Sequence, residues 1–166
     1  MKSLRLILWD DCNRRCKNCA NNGTGDAPKV DMDTLHEYDE ILLTGGEPML
    51  YPRTVRRIVY AIRDRAPNAK IYMYTALVEP IQWFIDVVGA VDGVTLTLHT
   101  AKDMQAAQLA TAAIIDNLCT HKSYRLNTFF SPVAIPDWMA KVWKHTPKMW
   151  IEDCPLPKNE TLRRYS

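Results

Sequence analysis

The sequence lacks the features that mark several specialised classes of protein. No apolar run approaches the roughly 18 residues of a membrane span. The opening Met-Lys-Ser-Leu-Arg-Leu-Ile-Leu-Trp-Asp has a short apolar part, cut off by Asp10 and Asp11 with no small-residue cleavage site after it. It reads as a first strand rather than a leader. There is no linker, low-complexity tract or sequence repeat beyond an alternation of strand and helix patterns. Net charge is only +2, too little to argue for nucleic acid or a membrane surface as partner. Arg14, Arg15 and Lys17 crowd one segment, and Arg53, Arg56, Arg57, Arg63 and Arg65 another, which by itself describes solvated faces. The five cysteines are an odd number, and three fall within eight residues, unlike an extracellular disulfide framework. Such bunching suits a metal site in a reducing compartment, so a cytoplasmic location is expected.

What is present is a 166-residue chain, 47% hydrophobic, long enough for one domain with its own core. Strand-like runs are Leu4–Trp9, Glu40–Thr44, Lys70–Thr75, Gly93–His99, Tyr124–Phe130 and Lys148–Ile151. Between them lie helical stripes: Val55, Ile58, Val59 and Ile62; Ile81, Phe84, Ile85 and Val88; Ala107, Ala110, Ile114 and Leu118; and a short one with Met139, Val142 and Trp143. Pro52, Pro80 and Pro136 stand where helices begin, and Thr100 with Asp103 has the spacing of a helix entry. Asn21–Tyr38 is irregular, with one short helix expected from Asp33.

Strand–helix repeats of this length call for parallel strands joined by right-handed crossovers. Six strands are too few to close an eight-stranded barrel. A sheet covered on both faces shows near-continuous apolar strands, whereas here one face is polar. Thr95, Thr97 and His99 share a face of one strand, Arg125 and Asn127 of the next, and Trp150, Glu152 and Cys154 of the last. Val94, Leu96, Leu98, Met149 and Ile151 are then expected outward under helices. The expected fold is α/β, an open, partial (β/α)6 TIM-like barrel of parallel strands over 1–154, followed by a C-terminal tail over 155–166. Pro155 and Pro157 are expected to keep that tail extended near the rim of the cavity.

Cys12-Asn-Arg-Arg-Cys16-Lys-Asn-Cys19 follows the first strand, at the sheet edge where parallel α/β folds place their sites. A structural zinc normally takes four protein ligands, and no fourth cysteine lies nearby. Three thiolates leave one iron of a cubane cluster open to a small molecule. Spacing alone leaves iron–sulfur, zinc and unligated cysteine open. A second motif, Thr44-Gly45-Gly46-Glu47-Pro48, ends the second strand. Paired glycines allow close backbone approach, and a carboxylate can receive an ammonium group.

Together these motifs resemble those of the radical S-adenosylmethionine (SAM) superfamily. The likeness extends over roughly 4–154 in architecture, but its specific part is Cys12–Cys19 and Thr44–Pro48. It implies that Cys12, Cys16 and Cys19 hold a [4Fe–4S] cluster, whose fourth iron chelates SAM. Gly45, Gly46 and Glu47 are implied to grip the SAM ammonium. Reductive cleavage then gives methionine and a 5′-deoxyadenosyl radical that abstracts hydrogen from a substrate. An external flavodoxin- or ferredoxin-like electron donor is implied as a partner.

Thr97, His99, Arg125, Asn127 and Glu152 are the further SAM-site candidates, and Cys154 a candidate hydrogen donor. The family's usual aromatic residue before the third cysteine is replaced by Asn18, so adenine packing is sought on Tyr72, Tyr74 or Trp150. No cysteine-rich extension suggests auxiliary clusters. The open barrel favours a protein or peptide substrate, as for glycyl-radical activating enzymes, with nucleoside or base modification as a rival. The alternative from another class is a non-catalytic iron–sulfur or zinc module for sensing or interaction.

Overall fold

A computed structural model describes residues 1–165, apart from 18, 118–121, 131–133 and 150–155. Its strands are β1 (Ser3–Ile7), β2 (Glu40–Thr44), β3 (Lys70–Thr75), β4 (Gly93–Leu98), β5 (Ser123–Thr128), β6 (Lys144–Pro147) and β7 (Glu160–Arg164). The helices are α1 (Pro52–Arg65), α2 (Ile81–Ala90), α3 (Met104–Asn117) and the single turn α4 (Asp137–Ala140). Short 3₁₀ turns occupy Met32–Glu37, Pro48–Leu50 and Ala101–Asp103.

Local chemistry explains where these helices start and which face they bury. Pro52 sits in the first turn of α1, where an N–H has no intrahelical partner anyway. Val55, Ile58, Val59 and Ile62 then bury one stripe of α1, while its arginines stay outside. Pro80 and Pro136 stand just before α2 and α4. Phe84, Ile85 and Val88 bury one face of α2, and Ala107, Ala110 and Ile114 bury that of α3. The expected Leu118 lies outside the described residues.

The strands form one open, seven-stranded parallel sheet in the order β6-β5-β4-β3-β2-β1-β7. Alternation divides its two faces. Leu4, Leu6, Ile41, Leu43, Ile71, Met73, Val94, Leu96, Leu98 and Leu126 are buried in the core with the helices. The opposite, concave face carries Arg5, Leu42, Thr44, Tyr74, Thr97 and Asn127, which line one cavity. Among the described residues, no helix is long and apolar enough to cross a membrane.

Three expectations need correction at the C-terminal end. The last expected strand, Lys148–Ile151, is displaced: β6 is Lys144–Pro147, paired with Arg125–Thr128 of β5. Lys-His-Thr-Pro carries no apolar alternation, and Pro147 is tolerated because β6 is an edge strand. Met149, expected beneath a helix, is 85% exposed and lines the cavity. Part of the expected tail is β7, which pairs in parallel with β1 from Ser3↔Glu160 to Ile7↔Arg164. Arg5–Glu160 (2.8 Å) and Arg164–Asp10 (2.8 Å) ion pairs fix that register, and Arg164 bridges to Lys29 on the far side.

Candidate metal centre

The cysteine loop leaves β1 at the C-terminal edge of the sheet. Leu8 N–H still donates to Thr44 O (2.9 Å), so regular pairing runs to the brink of the motif. Beyond it, Glu47 N–H donates to Asp11 O (2.8 Å), and Tyr51 Oη–H donates to Asp11 Oδ2 (2.8 Å). These contacts tie the entry of the loop to the Gly-Gly-Glu-Pro turn. Cys12 is exposed, and Cys16 and Cys19 are half-buried.

Gly45 and Gly46 are required by this packing. Both have positive φ, 83° and 56°, where side chains are strained. A Cβ on Gly45 would collide with Ile7, and one on Gly46 with Asp11 O and Trp9. The glycines therefore seat the turn against β1 and the cysteine loop; Gly46 lines the cavity and Gly45 lies behind it.

Glu47 is 3% exposed, and its carboxylate already has three donors. Oε1 accepts from Met49 N–H (2.9 Å) and Thr75 Oγ1–H (2.5 Å), and Oε2 accepts from Ala76 N–H (2.8 Å). It thus caps the turn at Pro48 and pins the end of β3. A carboxylate offers about four lone-pair sites, so Oε2 keeps room for one more donor. Burial pushes the Glu47 carboxyl above its ordinary range, against the opposing pull of Thr75, Ala76, Met49 and Arg14. A cation placed beside it would reverse that rise.

Sequence reading missed the charged network behind the cysteines. Arg14 makes a two-pronged pair with Asp103, Nη1–Oδ2 at 3.1 Å and Nη2–Oδ1 at 2.7 Å. Its Nη2 also approaches Ala76 O at 3.4 Å. Asp103 Oδ2 in turn accepts the N–H groups of His99 (2.8 Å) and Thr100 (2.9 Å), realising the helix entry read from Thr100 and Asp103. Burial alone would raise the Asp103 carboxyl, but Arg14, Thr100 and His99 together hold it below its ordinary value. The His99 ring lies 3.9 Å from Cys16 Sγ and stacks on Phe129, centroids 5.8 Å apart. Burial, and then Arg14, lowers the His99 pKa, which favours the neutral imidazole. Burial pushes the Cys16 thiol up, with Cys19 and Cys12 adding to it and Arg14 opposing.

One cavity of about 410 Å³ receives this edge of the sheet, within the usual ~300–1,000 Å³ of small-molecule sites. Cys12, Cys16, Cys19, Gly46, Glu47, Thr97, His99 and Asn127 all line it. Arg125 does not: it is exposed, with its guanidinium 5.7 Å from the Tyr72 ring. It shares the face of Asn127 but sits two residues, about 7 Å, farther from the cysteine edge of β5. Tyr74 lines the cavity, whereas Tyr72 lies under Arg125. Asn18, Cys119, Trp150, Glu152 and Cys154 lie outside the described residues.

Three thiols on one loop are a donor set that fits an iron–sulfur cluster. Among the described residues, no three His, Cys, Asp or Glu side chains converge to hold one metal ion. The three thiols instead share the wall of one cavity, as they must when each binds a different iron. Arg14 Nε is a buried donor with no hydrogen-bond partner among the described residues. A buried polar group without a partner calls for an explanation, and an anionic cluster beside Arg14 provides an acceptor.

Comparison with known proteins agrees with this chemistry. Residues 3–82 match the model of the 4Fe-4S single cluster domain. The matched stretch contains both motifs and runs from β1 into α2. No curated protein matches the chain. Among solved structures, the chain is similar to Streptococcus suis SuiB, with a TM-score of 0.62 at 14% identity. That likeness covers 98% of this chain but 42% of SuiB, so the chain spans less than half of its neighbour's length. It is also similar to SuiB bound to the precursor peptide SuiA, with a TM-score of 0.53 at 15% identity over 80% of this chain and 34% of that one. At these identities the likeness is one of fold alone, an open, parallel α/β sheet.

Proposed function

We propose that this protein is a radical SAM enzyme that carries a [4Fe–4S] cluster on Cys12, Cys16 and Cys19 and acts on a peptide or protein segment. The observation that carries the reading is one cavity lined jointly by the three thiols and by Gly46, Glu47, Thr97, His99 and Asn127. A module that merely stored a cluster has no need of a cavity of small-molecule size continuous with it. When bound, a reduced cluster and SAM together supply reductive cleavage of the sulfonium and hydrogen-atom abstraction from the substrate.

The chain's own residues bind, orient and shield. Oε2 of Glu47 has one remaining lone-pair site for an ammonium group, and that interaction offsets the burial of the carboxylate. Thr97 and Asn127, cross-strand neighbours in β4 and β5, offer hydroxyl and amide groups to a ribose or carboxylate. Tyr74 and Phe129 provide aromatic surface for the adenine, a role that Asn18 leaves unfilled. Ion-paired Arg5 and exposed Lys148 and Met149 line the same cavity. The sheet stays open between β6 and β7, which suits an extended segment entering from outside. SuiB bound to its precursor peptide supports that substrate class.

Anaerobic protein reconstituted with iron and sulfide, then given SAM and a strong reductant, is expected to release 5′-deoxyadenosine and methionine in equal amounts. Cluster uptake without SAM binding or cleavage would favour the non-catalytic iron–sulfur module. Stoichiometric zinc with no iron uptake would overturn the cluster itself.

A further inference from the structure

The cysteine loop has few anchors. Asp10 and Asp11 hold its entry through Arg164, Tyr51 and Glu47. From Asn21 to Ala27, the described backbone bonds are local turns: Asn22 to Cys19, Thr24 to Asn21 and Ala27 to Thr24. Between these parts, Arg14 crosses to the β4–α3 turn. It lies inside the motif, with its backbone N–H 3.4 Å from Cys12 Sγ. Its terminal nitrogens are committed to Asp103 and Ala76, while Nε is buried with no partner among the described residues. Asp103 also accepts the His99 N–H, so one carboxylate holds both the arginine beside the cysteines and the histidine 3.9 Å from Cys16.

From this we infer that Arg14, oriented by Asp103, is a positioning residue for the cluster: it latches the three-cysteine loop closed and directs Nε–H toward a cluster or thiolate sulfur. The inference rests on the proposed iron–sulfur reading. Cluster potentials respond to net charge and to hydrogen bonds at the sulfurs. A fixed guanidinium beside an anionic cluster stabilises its reduced form more than its oxidised form, and so raises the potential. Asp103 keeps the guanidinium from swinging toward solvent and leaves its inner nitrogen for the sulfur.

The test compares Arg14→Gln, Arg14→Lys and Asp103→Asn with wild-type protein, all anaerobically reconstituted and checked for a retained fold by circular dichroism. Three readouts are independent of turnover: iron and sulfide per chain, the rate of bleaching of visible absorbance by a chelator, and the reduction potential from a spectroscopic titration. Arg14→Gln is expected to bleach roughly ten-fold faster, as suits the loss of one charge-assisted hydrogen bond. Its residual cluster is expected to have a more negative potential. Arg14→Lys, which keeps the charge but loses the fork, should recover most of the potential but little of the resistance to chelation. Asp103→Asn retains acceptors for His99 and Thr100, and should resemble Arg14→Gln in bleaching rate.

An unchanged potential and bleaching rate in Arg14→Gln would overturn the latch while leaving the cluster assignment intact. Faster bleaching with an unchanged potential would reduce Arg14 to a loop anchor and overturn the hydrogen bond to sulfur. Failure of wild-type protein to take up iron would count instead against the proposed function.

Discussion

Replacing Cys12, Cys16 or Cys19 with Ala removes the cluster: reconstituted variants are expected to hold no [4Fe–4S] and to show no broad absorbance near ~400 nm. In the proposed site each thiol would bind a different iron, so no remaining motif cysteine could cover for a lost one. The fold itself should survive, because the motif lies on a loop outside the strands and all three cysteines are exposed or half-buried. Cys119→Ala and Cys154→Ala are expected to leave iron content close to that of wild type. Iron and sulfide analysis with visible spectroscopy separates these outcomes, and near-normal loading in any one of the three motif variants would contradict the ligand assignment.

The second large effect belongs to the sheet. Leu96 and Leu98 are 0% and 1% exposed on the helix-covered face of β4, while Thr97 between them lines the cavity. Leu96→Asp or Leu98→Lys puts an unpaired charge into the core, at a cost of several kcal/mol after relaxation. That is comparable with the whole stability of a domain, about 5–15 kcal/mol. Both variants are expected to be unfolded or insoluble, whereas Thr97→Val folds normally. Circular dichroism and denaturant titration provide the comparison. A well-folded Leu96→Asp would contradict the assignment of faces.

The contrast between adjacent residues of β4 also explains how much could be read beforehand. The cysteine motif and Gly-Gly-Glu-Pro are short, contiguous patterns. The apolar stripes of α1 and α2 repeat at helical spacing, so those elements needed no tertiary information. Strand alternation placed Thr97, His99 and Asn127 on the cavity side. It could not separate Asn127 from Arg125, because alternation gives a face and not a distance from the cysteine edge. β6 and β7 were hidden for another reason. Lys-His-Thr-Pro and Glu-Thr-Leu-Arg-Arg are polar edge strands held by backbone pairing and, in β7, by ion pairs with Arg5 and Asp10. Neither signal shows in hydrophobic periodicity.

The residues missed at the site were missed through sequence distance. Arg14 and Asp103 are 89 positions apart, and nothing in either segment names the other. Glu47 read as a free carboxylate awaiting an ammonium group, yet three of its acceptor sites are taken by Met49, Thr75 and Ala76. Its motif therefore has a folding role of its own: the same carboxylate caps one turn, pins the end of one strand and lines the cavity. Gly46 has a packing role too, since a side chain there would collide with Asp11 O at the entry of the cysteine loop.

The central claim is that three thiolates leave one iron of a [4Fe–4S] cluster free to bind SAM inside this cavity. Electron paramagnetic resonance of the reduced, reconstituted protein tests it most directly, recorded with and without SAM carrying ¹⁵N in its amino group. The reduced-cluster signal is expected to change shape when SAM is added and to show hyperfine coupling to the labelled nitrogen, with both effects absent in Cys16→Ala. A reduced-cluster signal indifferent to SAM, with no nitrogen coupling, would contradict it.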